Sequence, residues 1–160
     1  MKKIYTYLLL SALPLLTISL AAVDTATAVV TFTISAIETI SISGNPVTLN
    51  VALAPAGGGP TSASDSSTTY AITTNSSVVR RITGAINSPM PTGVTLTIDL
   101  VPPTGATSTG PIAMTTSPQN LVTGITSAAE ASLPITYTLT ADVTASPVSD
   151  SRTVTYTVGP

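Results

Sequence analysis

The stretch VTFTISAIETISIS, residues 30–43, decides the fold class. Its even positions read Val30, Phe32, Ile34, Ala36, Glu38, Ile40 and Ile42, and its odd positions are mostly threonine and serine. Successive side chains of a β-strand point to opposite faces, so this period of two describes a strand with one dry face and one wet face. Glu38 interrupts the apolar row beside Ile37, which predicts a bulge or a crossing between sheets at that point.

The same signature recurs down the chain. Val47, Leu49, Val51 and Leu53 predict a strand after the turn formers Asn45 and Pro46. Tyr70 and Ile72 mark another, and Val78, Ile82 and Ile86 share a face of the next. Val94, Leu96, Ile98 and Leu100 alternate with Thr95, Thr97 and Asp99. Leu133, Ile135, Tyr137, Leu139, Ala141 and Val143 make the longest row, and Val154, Tyr156 and Val158 the last. PIAMTT (111–116) and NLVTGI (120–125) read as weaker strands.

The connectors are rich in Gly, Pro, Ser and Asp. The polar, Gly-rich stretch 55–67 reads as a surface loop, and SAAEASLP as at most one helical turn stopped by Pro134. No segment sustains a helical period. Short alternating strands between turn signals predict an all-β fold, an immunoglobulin-like antiparallel β-sandwich.

The N-terminus predicts an export signal over residues 1–28. Lys2 and Lys3 are followed by an apolar run broken at Pro14, then by the small-x-small site Ala26-Thr27-Ala28. Cleavage would leave one domain, residues 29–160, with no membrane span, in a secreted or extracellular surface location. That stretch holds three cations (Arg80, Arg81, Arg152) and six acids (Glu38, Asp65, Asp99, Glu130, Asp142, Asp150). So few positive charges argue against nucleic acid as a partner and against an anionic membrane surface. The chain has no cysteine, so burial, backbone pairing or assembly must stabilise it without disulfides. An uncharged, β-prone surface of this kind fits one that other copies cover.

Chemistry finds little to work with. There is no histidine to activate a serine, and residues 29–160 contain no lysine. Zinc and copper would lack their usual ligands, and SASDSS (62–67) does not have the spacing of a calcium loop. No cofactor is expected. A carboxylate pair drawn from Glu38, Asp99 or Asp142 is the one catalytic option left, an exported hydrolase, and it ranks last. Phe32, Tyr70, Tyr137 and Tyr156 all fall on the apolar phase, which predicts core packing rather than a sugar platform. Asn75-Ser76-Ser77 matches a glycosylation acceptor and is set aside as coincidental beside a signal of bacterial style.

The leading strand has a further use. An extended segment with alternating large apolar residues can join an open sheet edge. Burying a large apolar side chain contributes about 1.5–3 kcal/mol and a backbone hydrogen bond about 0.5–1.5 kcal/mol. Ordering a residue costs about 1–2 kcal/mol, so a segment of this length binds only in a well-shaped groove. The balance does not separate pairing within the chain from pairing with a neighbour.

An export signal, then VTFTISAIETISIS, then NPVTLNV after a turn, then a strand at the C-terminus resembles the major pilins of the alpha class of bacterial fimbriae. The likeness is specific over residues 29–51 and architectural beyond them. It implies a non-enzymatic fibre subunit whose mature N-terminal strand completes the sandwich of the next copy. The implied donor positions are Val30, Phe32, Ile34 and Ala36. The implied partners are copies of the chain itself and an export chaperone. The alternative is a self-contained secreted or surface module that binds a partner or glycan, with residues 29–43 paired inside their own domain.

Overall fold

The computed structural model describes residues 24–44 and 46–160, so the export signal up to Val23 and the turn residue Asn45 lie outside the described residues. The chain divides into two compact units, Met1–Thr33 and Ile34–Pro160. Residues 24–33 of the first unit, which include the predicted cleavage site, have no regular secondary structure, and all are exposed.

The second unit is all-β. Nine strands are found among the described residues: β1 (Glu38–Ser43), β2 (Ala63–Thr74), β3 (Arg80–Ile86), β4 (Val94–Leu100), β5 (Thr107–Ser108), β6 (Ile112–Ala113), β7 (Gln119–Ile125), β8 (Ala129–Ala141) and β9 (Val154–Gly159). They form a five-stranded sheet in the order β1-β2-β8-β4-β6 and a four-stranded sheet in the order β5-β7-β3-β9. Every pairing is antiparallel.

The apolar phase of each strand makes one core. Tyr70, Ile72, Leu96, Ile98, Leu100, Ile135 and Tyr137 enter it from the larger sheet, and Ile82, Ile86, Leu121, Val122 and Ile125 from the smaller. Leu121 and Val122 are neighbours yet both are buried. The β3–β7 register explains this, because it steps from Ile82↔Val122 to Thr83↔Asn120 and leaves Leu121 as the extra residue of a bulge. Gly84 opposes this bulge, and a Cβ there would lie 2.7 Å from Leu121 Cδ1 and 3.0 Å from Met114 Cε. The missing side chain lets β3 and β7 pack against each other.

Several sequence expectations need correction. No bulge or crossing occurs at Glu38, because β1 starts there and its register with β2 runs without a step from Glu38↔Thr74 to Ser43↔Thr69. The stretch 55–67 is not all loop, because β2 already begins at Ala63. Its first residues are polar, but β8 pairs with them (Ala63↔Leu139, Asp65↔Tyr137), and Asp65 Oδ1 accepts hydrogen bonds from the backbone N–H and Oγ of Ser67 at an irregularity in the strand. Residues 129–134 are not helical but open β8, and Pro134 lies within that strand. Ser132, at φ 59°, supplies the extra residue between the pairs Tyr70↔Leu133 and Ile72↔Glu130, and the Pro134 carbonyl accepts from the Val101 N–H.

The alternating stretch 47–53 forms no strand. Val47 and Leu49 still pack on the core, so burial follows the period of two without a ladder. Val78 does not share the face of Ile82 and Ile86; it is exposed ahead of β3.

Candidate functional site

β1 ends the larger sheet and pairs only with β2; β9 ends the smaller sheet and pairs only with β3. The two edge strands approach each other on the same side of the fold. On this side lies a groove of about 860 Å³, a size typical of ligand-binding clefts. Leu96, Tyr137 and Leu139 line it from the larger sheet, Val154 and Tyr156 from β9, and Val47, Leu49, Met90 and Val148 from the connecting segments.

Local sequence accounts for each wall. Leu139 and Val154 continue the inward phases of β8 and β9 but are only half-buried, so their apolar rows outrun their cover. The Tyr137 and Tyr156 hydroxyls are 2.8 Å apart and join the two sheets inside the groove. Burial pushes both phenols above the ordinary tyrosine range, Tyr156 further than Tyr137, so the pair stays neutral.

A charged corner closes one end. Arg152 donates through Nε and Nη2 to the Pro89 carbonyl at 3.1 and 2.7 Å, and its Nη1 lies 2.6 Å from Asp150 Oδ2. The Arg152 side-chain hydrogen bond, and then the Ser151 N–H, hold the Asp150 carboxyl below the usual carboxylate range.

The four predicted donor residues are not part of the domain's core. Val30, Phe32 and Ile34 are 81%, 81% and 79% exposed, and Ala36 is exposed too. None of the four belongs to a strand; pairing within the chain begins at Glu38. Phe32 thus departs from the expectation of core packing that Tyr70 and Tyr137 meet. Glu38 stands at the start of β1, and its Oε1 lies 2.5 Å from Arg80 Nε of β3. That nitrogen is buried without a well-directed hydrogen bond, so the contact acts as an ion pair between the two sheets.

The other carboxylates of the second unit are likewise engaged nearby. Asp65 accepts from Ser67, Asp99 from Ser108 Oγ, Glu130 from the Thr104 N–H and Asp142 from Thr144. No group of three metal-binding side chains occurs among the described residues. No helix among them is long and apolar enough to cross a membrane.

The groove itself was not foreseen. Leu96, Leu139 and Tyr156 carry the same signal as core residues, and alternation does not say which part of a row its neighbours leave open. Comparison with protein-family models, with curated proteins and with solved structures finds no match.

Proposed function

We propose that the chain is a non-enzymatic, exported structural subunit of a surface fibre that assembles by strand donation. Val30, Phe32 and Ile34 of one copy enter the groove between β1 and β9 of the next. One observation carries this reading: a groove lined by Leu96, Leu139 and Tyr156, with Ser149, Asp150 and Arg152 at its charged end, lies where both sheets end in unpaired edges, while a strand-like apolar row of the same chain is left in water. Edge strands offer backbone donors and acceptors, and the half-buried side chains beneath them offer apolar area. The likeness to alpha-class pilins points the same way. An export chaperone would cover the same groove before assembly.

The alternative is a self-contained secreted or surface binding module. It is favoured by β1 pairing inside its own domain and by a buried core that runs from Tyr70 to Tyr137 without residues 29–36.

A synthetic peptide of residues 29–36, VVTFTISA, separates the two readings. It is added to mature chain carrying Phe32→Asp and Ile34→Asp, which cannot occupy its own partners' grooves. At a hundredfold excess over its dissociation constant the peptide should stabilise the domain by about 2.7 kcal/mol, seen as a raised melting temperature. A scrambled peptide should do nothing. No difference between the two peptides would leave the module as the better description.

A further inference from the structure

The register Glu38↔Thr74 is the last pair of the β1–β2 ladder, and the next residue on the β2 side is Asn75. Its side chain carries the pairing on by two residues. Asn75 Oδ1 accepts the Ile37 N–H at 2.9 Å, and Nδ2 donates to the Ser35 carbonyl at 2.8 Å. The Asn75 backbone N–H also donates to the Ile37 carbonyl at 3.3 Å. A primary amide offers a donor and an acceptor side by side, as a peptide group does; aspartate would keep only the acceptor. Next to this, the Glu38–Arg80 ion pair ties the start of β1 to the opposite sheet. Among the described residues, the hydrogen bonds that Asn75 makes to this segment end at Ser35. The amide of Asn75-Ser76-Ser77 is therefore committed to the backbone of residues 35 and 37, which also gives this asparagine a role other than glycan acceptance.

We infer that Asn75 is the positioning residue that fixes where the domain ends and the donated segment begins. This rests on the strand-donation reading and sharpens it. The donated part is residues 29–34, about 20 Å of extended chain. It presents Val30, Phe32 and Ile34 to the neighbour, and Ala36 stays with the domain that made it. The resemblance to pilins places Ala36 among the donors; the Asn75 bonds place it between two residues held at home.

Two measurements test this on the mature chain. In the monomer, amide exchange followed by NMR should find the Ile37 N–H and the Asn75 side-chain amide protected, with Thr33 and Ile34 exchanging as free peptide. Asn75→Ala should bring Ile37 to the rate of Ile34 while Ile40 in β1 stays protected, and Asn75→Asp should leave Ile37 protected. That contrast at one amide is not what general loosening of the fold would give. Ile37 exchanging like Ile34 in the unsubstituted chain overturns the inference, whether or not Asn75→Ala folds.

In assembly, Ile34→Asp should weaken subunit association by at least about tenfold, and Ala36→Asp should change it by less than about twofold. Equal losses would overturn the boundary at Ser35. A chain that shows the exchange pattern but never associates counts against strand donation and leaves the clamp standing.

Discussion

Mature chain carrying Phe32→Asp together with Ile34→Asp should stay monomeric at concentrations where the unsubstituted chain forms polymer, and its melting temperature as a monomer should hardly move. Both side chains stand in water in the single chain, so the substitutions change the exposed surface and nothing in the core. Changes at such positions usually alter stability by no more than about 0.5 kcal/mol. In the polymer the same two side chains would be buried, each contributing about 1.5–3 kcal/mol, so losing both costs association at least about a hundredfold. The introduced carboxylates add to the loss, since Leu96, Leu139 and Tyr156 give a desolvated charge no hydrogen bond donor except the Tyr156 hydroxyl, and the groove's cation, Arg152, is already paired with Asp150. Sedimentation velocity measures association and calorimetry measures the monomer. Normal polymers from the double variant would count against burial of these residues, and a large fall in melting temperature would show that they pack on their own domain.

Ile135→Ala should cost about 2–5 kcal/mol of folding stability, among the largest effects expected of a single substitution in the domain. Ile135 is fully buried, and β8 is the middle strand of its sheet, with Ile135 opposite Thr68 on one side and Leu100 on the other. Flanked on both sides by paired strands, the site has little room to collapse around the lost atoms, so the cavity persists. Natural domains are stable by only about 5–15 kcal/mol, so the urea midpoint should drop sharply with little change in slope. Val143→Ala, at an exposed site past the end of β8, serves as the matched control and should be nearly silent. Equal effects at the two positions would mean that the inward phase of β8 has been misassigned.

Much of the fold is legible because burial and alternation coincide. In β4, Leu96, Ile98 and Leu100 are buried while Thr95, Thr97 and Asp99 are less so, as the spacing of the residues predicts; Val94, on the inward row, is only half-buried at the start of the strand. The rest depends on partners far away in sequence. Ala63 to Ser67 looks like loop by composition and becomes strand because β8 supplies the ladder. Residues 47–53 look like strand by composition and gain no ladder, though Val47 and Leu49 still find apolar cover. Pro134 reads as a stop, but a bulge at Ser132 adjusts the register around it.

The apolar row at Val30, Phe32 and Ile34 is visible from its period. The groove proposed to accept it is not, because Leu139 and Val154 look like any other inward residues until the path of the loops leaves them half covered. Asn75 was visible only as a glycosylation acceptor; its bonds to residues 35 and 37 follow from the β1–β2 register, which no local pattern reveals.

The most direct test of strand donation is photocrosslinking from position 32. Mature chain with a benzophenone amino acid in place of Phe32 is mixed with an excess of isotopically labelled, unsubstituted chain, illuminated, and mapped by mass spectrometry. Adducts on Val47, Leu49, Leu139, Val154 or Tyr156 of the labelled copy are the expected result. Adducts confined to the chain that carries the probe, or spread over the labelled copy without favouring those residues, would contradict the donation of residues 29–34 from one copy to the next.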